Sequence, residues 1–414
     1  MERRSFLATS AAALAARPVF ANPVAAACER MTPWLIEQRR DFHMHPELMY
    51  DLFRTSKVVA DRLAKLGLAD IRTGIAKTGV TGVIRGAKPG PIVAVRADMD
   101  ALPIDESKLD IAYKSKNPGV KHACGHDAHT TIALGVAEVL MSMRQELPGT
   151  VLMIFQPAEE GGRGALKMVQ EGVFSPVKPE AIFGLHVWPQ VDYGKIAYAS
   201  GVAMAAADRV EITIKGKMSH GAQPEHGIDT VVVAANAIQA LQSIRSRRMS
   251  GTDDFVLSLG SIHGGTAFNI ITDTIKIEGT MRTLSESLRD KARSMIMQTM
   301  RGVTEAFGAT YEYKFDEIGT VTYNDPALVA RTVPTFRKVL GEKNVIEVGP
   351  VMGAEDFSYF QKEMPGFFYF LGVRNEAKGF VHAVHTPEFD LDERALPLGV
   401  NAMTNVVLDY LAKG

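Results

Sequence analysis

The chain has little of several features that would point to particular classes of protein. Only two of its 414 residues are cysteines, so at most one disulfide can form within it. Neither sign of charge dominates: 46 Lys and Arg face 47 Asp and Glu, for a formal net charge of -1. This balance gives no general electrostatic reason to expect nucleic acid or an anionic membrane as a partner. No internal apolar stretch is long enough to span a bilayer, and we expect a small-molecule substrate.

The N-terminus departs from this ordinary composition. Residues 1–21 combine a basic start, an Ala-rich apolar segment and a small-residue ending, which predicts an export signal outside the fold. Because Arg3 and Arg4 precede Ser-Phe-Leu, the segment resembles a bacterial twin-arginine signal. We therefore expect a periplasmic or secreted protein that is free of the membrane once the signal is removed. The alternatives are a Sec signal, a short disordered tail, and a lipid anchor on Cys28, for which Ala25 is a poor match.

Residues 122–129, His-Ala-Cys-Gly-His-Asp-Ala-His, concentrate metal-binding side chains just before an apolar run with helical spacing. Gly125 allows a tight turn through which Cys124 and His126 can reach one ion. A buried thiol beside surface histidines is the alternative. We expect no disulfide between Cys28 and Cys124, because it would consume the thiol that a metal would bind.

Short β-branched runs alternate with helical segments through the first half of the chain. The runs are 80–85, 92–96, 151–155 and 181–185, and the helical segments include 128–144 and 164–171. This alternation predicts an α/β fold, a mixed sheet with helices on both faces. Polar side chains come just after these runs, namely Asp98, Glu159, Glu160 and His186. We expect them to meet in one crevice, because ligands bind at the carboxyl edge of such sheets.

The pattern changes near residue 205. From there to about residue 317, strands and helices follow one another in a compact α+β unit of βαββαβ order. This unit interrupts the chain, so we predict an inserted satellite domain at 205–317, serving as a lid or for dimerisation. The metal-binding catalytic domain would then be discontinuous and comprise residues 28–204 and 318–414.

The candidate ligands are too many for one open zinc site. Catalytic zinc usually takes three protein ligands, whereas this chain offers five: Cys124, His126, Glu160, His186 and His385. We therefore expect two divalent metal ions that share a bridging water, with Zn, Mn, Co or Ni compatible with these donors. In an extended backbone, Glu159 and Glu160 would point in opposite directions. Glu160 could then bind metal while Glu159 acts as the general base on the water.

Five stretches carry a family resemblance. They are Arg-Ala-Asp-Met-Asp-Ala-Leu-Pro (96–103), residues 122–129, Gln-Pro-Ala-Glu-Glu-Gly-Gly (156–162), Gly-Leu-His-Val (184–187) and Ser-His-Gly-Ala (219–222). Their order resembles the M20 metallopeptidases, and more narrowly the amidohydrolase branch with hippurate hydrolases, N-acyl-amino-acid amidohydrolases and auxin-conjugate hydrolases. The resemblance implies hydrolysis of the amide of an N-acyl amino acid at a dinuclear metal site. It places the five candidates above on the family's ligands and Glu159 on its base.

The resemblance also implies roles for four further residues. Asp98 would lie near the metal site and hold one of the ligands in place without binding the metal itself. In the inserted unit, His220, Asn269 and Arg282 match residues that contact substrate, with Arg282 suited to an α-carboxylate and the other two to the oxyanion. In relatives with a dimerising satellite domain, the histidine reaches the active site of the neighbouring subunit. The sequence leaves open whether this chain forms such a homodimer.

Other functions compete with this interpretation. A dipeptidase on the same scaffold would prefer a free α-amine to an acyl cap. A non-catalytic metal- or ligand-binding protein could keep the fold, although the presence of every ligand and the base argues against it. A thiol-redox role for Cys124 is disfavoured, because its neighbours suggest coordination instead of a resolving thiol.

Overall fold

The structure is a computed structural model that describes residues 23–413. The predicted export signal, with its Arg3 and Arg4, therefore lies outside the described residues. Within residues 23–413, no helix combines the length and the apolar character needed to cross a membrane.

Helices and strands alternate along the described chain. The helices are α1 (Pro23–Met44), α2 (Phe53–Leu66), α3 (His126–Ser142), α4 (Gly164–Gln170), α5 (Thr230–Arg247), α6 (Glu286–Ala306), α7 (Pro326–Leu340), α8 (Ser358–Gln361) and α9 (Ala395–Ala412). The strands are β1 (Ala69–Ile75), β2 (Gly79–Arg85), β3 (Lys88–Asp98), β4 (Pro148–Gln156), β5 (Ala181–Asp192), β6 (Ile196–Tyr198), β7 (Gly201–Met204), β8 (Ala206–Lys215), β9 (Ser219–His220), β10 (Phe255–Gly264), β11 (Ile270–Ile271), β12 (Thr274–Thr283), β13 (Thr310–Gly319), β14 (Thr322–Asn324), β15 (Val345–Glu347) and β16 (Gly366–Arg374).

The larger sheet has eight strands in the order β1-β2-β4-β3-β5-β16-β6-β15. Its centre is parallel, since β3 pairs in parallel with β4 and β5, and β5 with β16. Helices α1, α2, α3, α7 and α9 share one core with one face, while α4 and α8 share a second core with the other face. Burial on both faces explains why β16 is apolar at almost every position instead of alternating. The predicted α/β fold class is confirmed.

The second sheet has four antiparallel strands in the order β10-β12-β8-β13. Helices α5 and α6 pack on it and form a separate hydrophobic core. Both helices begin at a side-chain cap: Asp229 accepts the backbone N–H groups of Val231 and Val232, and Ser285 that of Leu288. The elements match the predicted βαββαβ order, and the division of the chain into two domains stays a prediction.

One strand boundary differs from the prediction. His186 does not follow a strand but lies inside β5, which continues to Asp192. The strand is prolonged because its partner β16 extends beside it, with Phe370 opposite His186 and Gly372 opposite Trp188. The side chain of His186 therefore projects from a paired strand instead of a loop.

Candidate metal centre

The turn between Cys124 and His126 requires glycine. Gly125 has φ +86° and precedes the first turn of α3, a conformation that side chains with a Cβ rarely adopt. A Cβ at this position would lie 2.3 Å from Cγ2 of Val187 in β5. Gly125 thus lets the segment approach β5 closely, which brings two buried side chains, Cys124 and His126, to the edge of the sheet.

The five predicted ligands converge although they are far apart in sequence. Sγ of Cys124 lies 3.3 Å from Nε2 of His186 and 3.2 Å from Nε2 of His385. Oε1 of Glu160 lies 3.3 Å from Nε2 of His385 and 4.0 Å from Nε2 of His126. The donor atoms form two overlapping groups that share Cys124, one with His126 and His186 and one with Glu160 and His385, each within 4.8 Å. Two neighbouring cations would use all five side chains.

Hydrogen bonds fix which ring nitrogens are available. Nδ1 of His186 donates to the carbonyl of Val187 over 2.6 Å, which leaves the lone pair of Nε2 facing the centre. Neither ring nitrogen of His129 is available to bind a metal, because Nε2 accepts from the Val187 amide over 2.8 Å and Nδ1 donates to Asp98 over 2.6 Å. His129 lies within reach of the same centre, but it serves as a brace between α3, β3 and β5.

The residues present fit a divalent cation. Both ring nitrogens of His126 and Oε1 of Glu160 are buried without a hydrogen bond of acceptable geometry among residues 23–413. Unsatisfied polar atoms of this kind cost about 1–3 kcal/mol each, and coordination would remove that cost. Thiolate, imidazole and carboxylate are also the donors that zinc and its neighbours prefer.

The electrostatics of the centre also favour a cation. Burial and the nearby carboxylate of Glu160 raise the pKa of the Cys124 thiol well above its usual range. Burial lowers the pKa of His126, but Asp98 and Asp100 outweigh it and raise that pKa to about 10. The neighbouring carboxylates thus favour positive charge in the site, and a divalent ion would reverse the shift at the thiol.

Asp98 and Asp100 take different positions near the ligands. The carboxylate of Asp98 bonds His129 and, over 2.8 Å, Nη1 of Arg96, and it lies 3.8 Å from Nε2 of His126. Asp100 lies 3.5 Å from Nδ1 of His126, and its two oxygens accept the backbone amides of Glu159 and Glu160 over 3.0 and 3.1 Å. Asp100 therefore orients two predicted functional segments, and the sequence reasoning missed it. The available signal was its place two residues after Asp98.

Glu159 lies among carboxylates. Its Oε1 is 3.4 Å from the backbone nitrogen of Asp356, and burial together with Glu355 raises its pKa well above the usual range. The expectation that Glu159 and Glu160 point apart is wrong, since carboxylate oxygens of both lie within 4.8 Å of His126 and of each other. The loop is turned instead of extended, with Ala158 at φ +55°.

The three predicted substrate-binding residues separate into two locations. Arg282, at the end of β12, lines the cleft that contains Cys124 and Glu159. His220, in β9, and Asn269, in the turn just before β11, are exposed and are not among the residues lining that cleft. The backbone N–H of Gly221 donates to the carbonyl of Asn269 over 2.8 Å, which keeps His220 and Asn269 adjacent. Of the three predicted substrate-binding residues, Arg282 is therefore the one that a single chain brings to the centre.

Comparisons with known proteins agree with this arrangement. Residues 94–409 match the model of the family described as "Peptidase family M20/M25/M40". The chain is 39% identical to "Thermostable carboxypeptidase 2" of Saccharolobus solfataricus, over 92% of this chain and 96% of the relative. It is 40% identical to "IAA-amino acid hydrolase ILR1-like 5" of Arabidopsis thaliana (91% and 87%) and 36% identical to "N-acetyl-L-cysteine deacetylase" of Bacillus subtilis (87% and 84%).

A solved structure extends the similarity to the whole fold. The YXEP protein of Bacillus subtilis, described as a dinuclear metal binding peptidase from the M20 family, superposes with a TM-score of 0.78 at 34% identity. The match covers 93% of this chain and 99% of that protein.

Proposed function

Because the chain belongs to the M20 family of metal-dependent peptidases and amidohydrolases, we propose that it hydrolyses the amide bond of N-acyl amino acids. The observation that carries the proposal is the convergence of Cys124, His126, Glu160, His186 and His385 beside Glu159. Two relatives support the substrate class, since their names describe an IAA-amino acid hydrolase and an N-acetyl-L-cysteine deacetylase.

The proposed chemistry divides between the metals and the protein. Divalent cations, when bound, lower the pKa of a coordinated water to about 7 and polarise an amide carbonyl. Glu159 accepts the proton of the attacking water and delivers it to the departing amine. Burial and Glu355 raise its pKa, which favours the protonated carboxyl that donates to the amine, whereas bound cations would lower that pKa and favour the carboxylate that accepts the proton. Asp100 holds the loop of Glu159 in place through the backbone.

The cleft indicates which substrates fit. Arg282 supplies a guanidinium that can pair with the α-carboxylate of an acyl amino acid. The remaining wall is largely apolar and includes Trp188, Met204, Ile318 and Val384. Trp188 is fixed by Phe370, whose ring centroid is 4.7 Å away. We therefore propose an apolar acyl group or amino-acid side chain next to this wall.

The central test is Glu159→Gln, measured with acetyl-, benzoyl- and indoleacetyl-amino acids and with elemental analysis of bound metal. Turnover should fall by roughly 10²- to 10⁴-fold while two metal equivalents remain, because the ligands are untouched. Glu363→Gln, at an exposed position, should leave both unchanged. Retained turnover in Glu159→Gln would contradict the assignment of the base.

A carboxypeptidase or dipeptidase is the second candidate, favoured by the relative named thermostable carboxypeptidase 2. The same panel should include unblocked dipeptides and acyl amides that lack the α-carboxylate. Arg282→Ala should raise KM for acyl amino acids by roughly 10- to 150-fold, the equivalent of one charge-assisted hydrogen bond, and leave KM for the acyl amides nearly constant. Equal effects on both would exclude carboxylate binding by Arg282.

Two further proposals concern the protein in its environment. We propose export through the N-terminal segment, tested by a reporter fused to residues 1–30 with Arg3 and Arg4 changed to Lys. Undiminished export would refute the twin-arginine route. We also propose a homodimer through the inserted unit at residues 205–317, in which His220 and Asn269 of one subunit serve the centre of the other. A monomer at working concentration with full activity would exclude it.

A further inference from the structure

His385 is the least buried of the five predicted ligands, and its backbone is strained. Its side chain is 51% exposed, whereas Cys124, His126 and His186 are buried. Its φ of +63° places a non-glycine residue in the left-handed region, which persists only where surrounding contacts enforce it. The His385 loop, residues 383–390, must therefore be held from outside.

Two hydrogen bonds clamp the His385 loop to the ligand loop, residues 121–125. The backbone N–H of His385 donates to the carbonyl of Ala123 over 2.8 Å. The ammonium of Lys121 donates to the carbonyl of Pro387 over 2.7 Å. One bond lies at His385 itself and the other two residues beyond it, so together they hold the half of the loop that carries His385. The far end of the loop is held separately, since Asp390 accepts from Arg39 over 2.9 Å and from Tyr113 over 2.6 Å.

Lys121 is committed to this contact by its surroundings. Its side chain is fully buried, and its Nζ lies 2.9 Å from Oε2 of Glu106, which is also buried. Oε1 of Glu106 accepts the backbone N–H of Ser115 over 2.6 Å, and Oε2 lies 3.3 Å from Nε2 of His43 in α1. A buried ammonium needs every partner it can reach, so its reach to Pro387 couples the His385 loop to a rigid ion pair.

We propose that Lys121 is a positioning residue for the metal centre: through Pro387 it holds His385 at the ligand position shared with Cys124 and Glu160. This inference rests on the proposed metal centre. Metal binding at the half of the centre formed by Glu160 and His385 should therefore depend on Lys121, whereas binding at the half formed by His126 and His186 should not.

The test is a titration of chelator-treated protein with Mn²⁺, with free Mn²⁺ read by electron paramagnetic resonance. The principal variant is the double change Glu106→Gln with Lys121→Met, because it removes both members of the buried ion pair, while His43 keeps its contact with Asp127 over 2.7 Å. His385→Ala identifies the metal equivalent that depends on that ligand. Lys114→Met is the matched control, since Lys114 also donates to backbone carbonyls, those of Ser107 and Leu109, away from the His385 loop.

In the double variant, the affinity for Mn²⁺ at the site that His385→Ala identifies should fall by roughly 10- to 100-fold, as happens elsewhere when a residue that supports a ligand is lost. The affinity at the other site should change by less than about threefold. Lys114→Met should match the wild type. If the double variant left the Mn²⁺ affinity of both sites unchanged, or lowered both equally, the positioning role of Lys121 would be overturned. A wild-type protein that binds neither Mn²⁺ nor Zn²⁺ would instead overturn the proposed metal centre, which is a distinguishable failure.

Discussion

Replacing Gly125 by alanine tests how strictly the ligand segment depends on its close approach to β5. Two costs add at this position. The first is the left-handed backbone at φ +86°, worth about 1–2 kcal/mol for a residue with a Cβ. The second is the contact of the new Cβ with Cγ2 of Val187 at 2.3 Å, where overpacking typically costs about 1–3 kcal/mol.

Val187 cannot yield easily. Its side chain is fully buried, its amide donates to His129, and its carbonyl accepts from His186. A shift of Val187 would therefore move one predicted ligand and the brace behind it. We expect Gly125→Ala to lower the free energy of unfolding by about 2–5 kcal/mol and to weaken metal binding by roughly tenfold or more.

Gly119→Ala separates the two costs. Gly119 has φ +74°, and a Cβ there would meet no atom within 4 Å, so this variant measures the backbone term alone. Urea unfolding of the metal-free proteins should show Gly125→Ala to be the less stable variant by about 1–3 kcal/mol. Equal destabilisation of the two variants, with metal binding preserved in both, would refute the argument that close packing against β5 shapes the centre.

Three further predictions follow from the site and its supports. The pKa of Glu106 is depressed to about 2, since His43 and Lys121 outweigh the effect of burial; it therefore contributes stability above the unfolded pKa of about 4.3 that is lost as the pH falls towards 2. Between about pH 5 and 2.5, the free energy of unfolding measured in urea should fall by about 2–3 kcal/mol more for the wild type than for Glu106→Gln. Parallel pH curves for the two proteins would contradict this prediction. Asp100→Asn should reduce turnover and weaken metal binding by roughly tenfold, because it loosens His126 and the Glu159 loop together; an effect on neither would remove Asp100 from the site. Chelation should abolish hydrolysis and lower the thermal midpoint, and readdition of Zn²⁺, Mn²⁺ or Co²⁺ should restore both; activity in metal-free protein would refute metal dependence.

Much of the fold could be read from local patterns. Apolar runs and helical spacing predicted strands β2 to β5, helices α3 and α4 and the βαββαβ order, because burial on one or two faces imposes a period on the sequence. The short strands β6 and β15 were not foreseen. Each has three residues, too few to show a period, and their pairing joins positions about 150 residues apart.

The buried polar groups behind the site were also beyond the sequence. Arg96 bonds Gln156 on the neighbouring strand and Glu355 some 260 residues away, and each of these residues alone is indistinguishable from a surface side chain. Their partnership is fixed by tertiary packing, which the sequence does not display. The ligands differ because their side chains are metal-binding types that stand close together in the sequence, as in Cys-Gly-His at 124–126 and Glu-Glu at 159–160.

The sequence also does not determine which of Asp98 and Asp100 contacts which histidine of α3. Asp98 is the last residue of β3 and Asp100 lies two residues further on, while His126 and His129 lie three apart in the first turn of α3, so each pair can project to a common side. Spacing alone permits either pairing of aspartate with histidine. The structure selects one, with Asp98 bonded to His129 and Asp100 beside His126, because the amides of Glu159 and Glu160 hold Asp100 beyond the end of the strand. The predicted ligands thus follow from residue type, whereas the residues that orient them depend on which loops pack together at the edge of the sheet.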